Sequence, residues 1–197
     1  MYRTYSDVFR PQTRSNVLAY ELLLLVGATL VIALSAQVSI RLWFTPVPIT
    51  GQTFAVLLVG TLLGSKRGAV ALLTYLAEGL AGMPVFANGT SGWAILSGPT
   101  GGYLVGFVAA AFVTGWLAER GWDRRVWTTA LAMLIGNLVI YACGLTWLAK
   151  FVGTAHVLEA GLTPFLTGDA LKIALAAGLL PGGWKLLALL RGEELKS

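Results

Sequence analysis

Apolar runs of helical-span length, separated by short polar turns, govern what this chain can fold into. Residues 17–40 read VLAYELLLLVGATLVIALSAQVSI, and runs of similar character recur along the chain. About 20 predominantly apolar residues cross a bilayer's hydrocarbon core as a helix. Of the 197 residues, 56% are hydrophobic and 12% charged, whereas soluble domains average about 45–50% apolar and about 25% charged. Lipid is therefore the expected solvent, and length counts spans instead of soluble domains. The N-terminal segment lacks a small-residue cleavage site after its apolar run, so that run reads as a retained first span.

The expected fold is an all-α integral membrane bundle of six helices at 20–40, 52–64, 68–82, 101–118, 128–150 and 168–190. Residues 1–19 would form a cytoplasmic segment and 191–197 a cytoplasmic tail, leaving a single membrane domain. The second and third runs are short and flank GSKRG at 64–68. Two helices fit them better than one broken helix, because Lys66 and Arg67 would be costly at mid-membrane. Arg3, Arg10, Arg14, Lys66, Arg67, Arg120, Arg124, Arg125, Lys185, Arg191 and Lys196 then fall on one side. Arg41 and Lys150 fall on the other, and Lys172 lies within the last span. By the positive-inside rule both termini are cytoplasmic and the number of spans is even.

Several function classes lack their residues. Cys143 has no cysteine partner and reads as a small core residue. His156, the one histidine, lies in an outer loop with Glu159 nearby, which provides neither a zinc site nor a triad. The glycine run at 98–102 is not followed by the Lys of a phosphate loop. The net charge of +5 is spread over short loops, which points to topology and not to nucleic acid. No catalytic, metal or cofactor site is expected. Small residues at four-residue spacing, Gly102, Gly106, Ala110 and Thr114 and again Ala170, Ala174 and Gly178, suit either packing inside the bundle or docking to a partner's helices. Thr29 and Ala33 form a shorter stripe.

Asp169 and Lys172, three residues apart at the start of the last run, share one helix face. They form either a self-neutralising pair at the interface, with Lys172 snorkelling outward, or part of a ligand site, where ionisable groups inside membranes usually stand. Glu78 is either a third member or a cap on the outer end. Residues 81–107, AGMPVFANGTSGWAILSGPTGGYLVGF, are too irregular to face lipid and fit a loop folded over a cavity. SGPTGG at 97–102 leads into the fourth helix, whose first amides can receive a carboxylate. Residues 46–52, Glu78, Tyr103 and Asp169 all fall at the outer face. A site there would join Asp169 and Lys172 to the rings of Phe86, Trp93 and Tyr103, each of which also serves as an ordinary packing or interfacial aromatic. Asn137 and Tyr141 stand one turn apart in the fifth helix, where the amide can also bond a neighbouring helix.

The strings VPITGQTFAVLLVGTLLG (47–64), AGMPVFANGTSG (81–92), SGPTGGYLVGF (97–107), IYACGLTWL (140–148) and FLTGDALKIALA (165–176) together resemble the BioY family. Members of that family are the biotin-binding S components of energy-coupling factor transporters. The resemblance implies a six-helix protein of a prokaryotic cytoplasmic membrane that captures biotin from outside. A membrane coupling subunit and an ATPase pair would supply the energy. ATP would be used by those partners, and a homo-oligomer that works as a solitary transporter is the alternative. An intramembrane enzyme and a structural subunit are the readings from other classes. The family's late Asp and Lys match Asp169 and Lys172, and its loop and GPTGGY contacts map to Asn88 and Tyr103. Asp169 would accept from the ureido N–H groups and Lys172 would donate to the ureido carbonyl. The amides of the GPTGG helix start, or Arg41, would receive the carboxylate.

Overall fold

A computed structural model describes residues 4–191, with the side chains of Arg14 and Ser15 left aside. Arg3 and Lys196 of the basic tally, and residues 192–197 of the tail, lie outside the described residues. Short helix α1 (Tyr5–Val8) precedes α2 (Arg14–Gln37), which begins just after Pro11, at the Thr13 N-cap. A two-residue antiparallel ladder, β1 (Ser39–Ile40) with β2 (Ile49–Thr50), brings the chain back over the bundle in the register Ser39↔Thr50. Helices α3 (Gln52–Leu63) and α4 (Ser65–Leu80) follow, then α5 (Trp93–Ser97), α6 (Gly101–Ala118), α7 (Val126–Val152), α8 (Val157–Gly161) and α9 (Leu166–Leu190).

Helices stand at all six expected places, with ends within three residues of those expected except that α2 begins six residues early, and α1, α5, α8 and the small ladder join them. Among the described residues four segments, within α2, α6, α7 and α8–α9, are long and apolar enough to cross a membrane. The twelve residues of α3 and sixteen of α4 extend about 18 and 24 Å, short of a hydrocarbon core of about 30 Å. Helix α3 follows directly on the β1–β2 hairpin, where the Gly51 N–H donates to the Val38 carbonyl at 3.0 Å.

The α3–α4 corner is a single residue. Gly64 has φ +89° and ψ 173°, a region open essentially to glycine. Glu119, the C-cap of α6, braces the corner, its Oε1 accepting from both the N–H and the Oγ–H of Ser65 at 2.8 Å. Gly115 of α6 lies against this corner, where a side chain would meet the backbone of Gly64 and Ser65. The α6 stripe of Gly102, Gly106, Ala110 and Thr114 is buried inside the bundle, against α3 and α7. Thr29 is buried as well. The α9 stripe differs: Ala170, Ala174 and Gly178 are exposed. Cys143 is half-buried at the α6–α7 contact, beside Gly106.

Leu22, Leu23, Val26, Leu30, Val31 and Leu34 of α2, Leu131, Leu134 and Leu138 of α7, and Leu171, Leu175 and Leu179 of α9 are exposed. Such continuous apolar faces on long helices are the surface of a protein solvated by lipid tails. The core holds Val56, Leu72, Tyr75, Ala110, Ile140 and Leu148. At the end opposite the ladder, α1 lies across the bundle. Ser6 donates to the Leu63 carbonyl at 3.3 Å and the Tyr5 hydroxyl to the Leu180 carbonyl, while Arg67 grips Glu21 through two bonds of 2.6 and 2.7 Å and Asp7 at 3.0 Å.

Candidate ligand-binding site

A cavity of about 420 Å³ opens at the ladder end, between the 39–50 hairpin, the 81–100 loop and the bundle. Its size falls within the range of small-molecule pockets, about 300–1,000 Å³. Four elements build its floor. Leu162 leads through the Thr163–Phe165 turn, with Pro164 inside it, into α9, so that Asp169 stands in the first turn, where the helix dipole favours a carboxylate. Lys172 follows on the same face. Tyr141 comes from α7, and Thr50 and Thr53 come from the ladder and the first turn of α3.

Asp169 is 5% exposed. One of its oxygens accepts from Lys172 Nζ at 3.2 Å and the other from the Tyr141 hydroxyl. Lys172 Nζ also donates to the Thr50 carbonyl at 3.1 Å and to Thr53 Oγ1 at 2.7 Å. Three acceptors therefore surround the three N–H bonds of one ammonium. This side chain points into the cavity, not outward, so the snorkelling alternative does not describe it. A ligand that displaces one of these acceptors finds the donor already aimed.

The walls are aromatic and apolar. Tyr103, in the first turn of α6, donates to the Gly161 carbonyl at 2.8 Å and meets the Tyr141 ring edge-on at 6.5 Å. Its ring occupies the place a side chain at Gly144 would need, so that glycine lets α6 and α7 close with the phenol between them. Phe86 is 1% exposed, packs edge-on against Tyr75 at 5.6 Å, and fills the space above Gly79. Leu104, Phe107, Ile140 and Phe165 complete the apolar lining.

The 81–100 loop is tied down at both ends. Phe86 and Thr90 bridge a tight turn whose Asn88 and Gly89 have φ of 60° and 67°, a conformation that Asn and Gly tolerate best. Gln37, at the end of α2, donates to the Phe86 carbonyl at 3.2 Å and accepts from the Gly89 N–H at 2.9 Å. Ser39 donates to Asn88 Oδ1 at 2.8 Å. At the other end Trp147 Nε1 donates to the Gly98 carbonyl at 2.9 Å. Gly98, Pro99 and Thr100 then present the start of α6 to the cavity. Across the mouth, Thr45 of the hairpin donates to the Ala160 carbonyl at 2.6 Å.

Five expected site residues, Asp169, Lys172, Tyr103, Phe86 and Asn88, line this one cavity. Two do not. Glu78 is only half-buried on α4 and outside the lining, because that turn of the helix presents Gly79 and not Glu78 to Phe86. Trp93 is 69% exposed and also outside it, since α5 turns Ala94 and Ile95 inward instead. Asn88 is exposed, with its carbonyl engaged by Ser39. His156 is exposed as expected, with Glu159 3.9 Å away. Arg41 lines the mouth. The lining thus carries two cations, Arg41 and Lys172, and one anion, Asp169, an excess of one positive charge suited to a monoanion.

A family profile described as the BioY family matches residues 10–189. The chain belongs to the BioY family. Among curated relatives, this BioY chain is 41% identical over 158 residues to the "Biotin transporter BioY" of Rhizobium etli, covering 76% of this chain and 84% of that protein. It is 42% identical over 144 residues to the "Probable biotin transporter BioY" of Pyrococcus horikoshii, covering 73% and 83%. The "Biotin transporter BioY" of Thermotoga maritima is 41% identical over 150 residues, covering 76% and 86%. A crystal structure of the S-component for biotin from an ECF-type ABC transporter matches the fold with a TM-score of 0.78 at 25% identity, over 89% of this chain and 95% of that one.

Sequence reasoning missed what the hairpin brings to this BioY site. Thr45, Thr50 and Thr53 look like ordinary threonines in the string 45–53, TPVPITGQT. The two prolines, which cannot continue a helix, were the signal that the segment before α3 is an irregular cover. Tyr141 was visible only as a polar residue one turn from Asn137; its bond to Asp169 crosses 28 positions of sequence.

Proposed function

We propose that this chain is the biotin-binding S component of an energy-coupling factor transporter. The observation that carries this reading is the cavity with Asp169 and Lys172 set side by side in its floor, in a chain of the BioY family. Biotin's ureido ring has two N–H donors and one carbonyl. Asp169 accepts from the former, and Lys172 turns one N–H from Thr50 or Asp169 to the latter. The thioether ring and the valerate chain lie against Phe86, Tyr103, Phe107 and Phe165. The carboxylate is received at the mouth, by Arg41 or by the first amides of α6, where the helix dipole adds attraction. Glu78 and Trp93 have no part in this arrangement; Asn88 acts by holding the loop.

In the same reading, α2, α3, α4, α6, α7 and α9 are the six membrane helices, with both termini and the basic turns on the cytoplasmic side of a prokaryotic inner membrane. The cavity then opens outward. Helices α3 and α4 reach less far because the hairpin and the 81–100 loop occupy the outer part of the membrane's depth, as irregular backbone can when it lines a cavity. The chain uses no cofactor of its own. A coupling membrane subunit and an ATPase pair do the work of transport, and the exposed small-residue face of α9 is open to a neighbour in the membrane.

Sealed membrane vesicles carrying this chain alone test ligand and orientation together. Right-side-out vesicles are expected to bind labelled biotin without ATP, and sealed inside-out vesicles are expected not to. Binding in neither overturns the ligand; binding in the inside-out preparation alone overturns the orientation.

A further inference from the structure

Two polar side chains buried beside the cavity, Gln52 and Tyr75, are bonded to each other. Gln52, the first residue of α3, is 4% exposed and lines the cavity, while Tyr75, in the second half of α4, is wholly buried and outside the lining. A glutamine is seldom buried unless its amide is bonded. Gln52 Nε2 donates to Tyr75 Oη at 2.8 Å, and Tyr75 Oη donates to the Val85 carbonyl at 2.9 Å. On the other side, Thr50 Oγ1 donates to Gln52 Oε1 at 3.3 Å and accepts from the Gln52 N–H at 3.2 Å. The Thr50 carbonyl in turn accepts from Lys172. The floor of the cavity is thus joined to the 81–100 loop through α3 and α4.

The last acceptor fixes the direction of the series. A backbone carbonyl only accepts, so the single O–H of Tyr75 is committed to Val85. The phenol oxygen then has only lone pairs for Gln52, which presents its NH2 group to Tyr75 and its carbonyl to Thr50. Val85 is followed by Phe86, whose ring lines the cavity and lies edge-on to Tyr75 at 5.6 Å. Tyr75 therefore holds the loop twice, by its hydroxyl on the backbone and by its ring against Phe86. One turn further along α4, Gly79 leaves the room that the Phe86 ring fills, and its carbonyl accepts from the Gly92 N–H at 2.8 Å. This face of α4 is the seat of the loop.

We infer that Gln52 and Tyr75 are positioning residues for biotin: they hold Val85, and with it the Phe86 ring, at the depth where Phe86 is a wall for the ligand's apolar part. This rests on the biotin reading given above. A wall that is set before the ligand arrives does not have to be ordered on binding. With the Tyr75 hydroxyl gone, the Val85 carbonyl loses its donor, and Phe86 is left to its ring contacts and to Gln37.

Near-isosteric substitutions separate this role from a general contribution to the fold. Tyr75→Phe removes one hydroxyl and keeps the ring. It is expected to weaken equilibrium binding of labelled biotin by about 3- to 10-fold, and by less than about 2-fold when Phe86 is already Leu, because effects that act through one side chain are not additive. Gln52→Met is expected to act in the same direction and to add less than about 2-fold to Tyr75→Phe. Without ligand, Tyr75→Phe should speed amide exchange at Phe86, Gly89 and Gly92, whose N–H groups bond the loop in place, by about 3-fold or more, while the amides of α7 keep their rates. Equal losses of affinity in the parent and Phe86→Leu backgrounds overturn the inference, as does unchanged affinity or unchanged loop exchange in Tyr75→Phe. If the parent binds no biotin, the functional reading fails on its own, and the exchange rates still decide whether the pair positions the loop. Should Tyr75→Phe fail to fold, Gln52→Met takes its place in both measurements.

Discussion

Two aspartates are buried in this molecule, and their surroundings set them to different tasks. Asp169, at the ligand cavity, has a hydroxyl on one oxygen and an ammonium on the other. Asp123, in the turn between α6 and α7, is 1% exposed, accepts from Trp184 Nε1 at 2.6 Å on Oδ2, and has no hydrogen bond to Oδ1 among the described residues. Burial pushes its carboxyl up to about 6, against the downward pull of the Trp184 bond and of Arg124. The folded protein therefore holds that proton more tightly than the unfolded chain does. The stabilisation is full below about pH 4 and is lost as pH rises to about 6. Asp7 lies at the same end of the bundle but is held below the usual carboxylate range: its burial, which raises it, is outweighed by bonds from Arg67 and Thr4. Its contribution is lost only as pH falls below about 4, outside the window of Asp123. Asp123→Asn, which keeps an acceptor for Trp184, should abolish a fall of about 2–3 kcal/mol in stability between pH 4 and 7, read as the change in Tm across that range. An unaltered pH profile in Asp123→Asn contradicts the assignment.

At the level of elements, the α3–α4 corner shows how one residue turns the chain back through the bundle. Gly64→Ala places a side chain at φ +89°, where it also meets Glu119 Oε1 at 2.8 Å. A destabilisation of about 1–3 kcal/mol is expected, seen as a lower Tm with unchanged helix content; no change in Tm means that the corner is not strained as described. The sequence carried this corner as GSKRG and located the four long apolar helices and the two shorter ones that flank it, because long apolar runs and basic turns are strong signals. It also brought Asp169, Lys172, Tyr103 and Phe86 to one end. Which way each side chain faces was another matter. Glu78 and Trp93 stand at the expected depth but on the wrong face, since depth follows from topology whereas azimuth follows from packing: Gly79 takes Phe86, and α5 turns Ala94 and Ile95 inward. Helices α1 and α8, at four and five residues, are too short to leave a periodic pattern. They are held by tertiary bonds such as Ser6 to Leu63 and Thr45 to Ala160.

For the molecule as a whole, the two ends are built for different purposes. One end is closed: α1 spans it, and Arg67, Glu21, Asp7, Asp123 and Trp184 tie α1, α2, α4, α9 and the α6–α7 turn together. The other holds a cavity whose covers, the hairpin and the 81–100 loop, are fastened by one bond each from Thr45, Ser39 and Trp147 and by two from Gln37, among others. Between the ends, the exposed faces of α2, α7 and α9 are apolar. A ligand can therefore reach the floor by displacing a few loop contacts while the closed end stays intact. The central claim is that Asp169 and Lys172 read the ligand there. Equilibrium binding of labelled biotin to the purified chain tests it, with Asp169→Asn and Lys172→Ala compared at matched helix content and elution volume. Each substitution is expected to weaken binding by roughly 10- to 100-fold or more, whereas parent-like affinity in both folded variants would contradict the account.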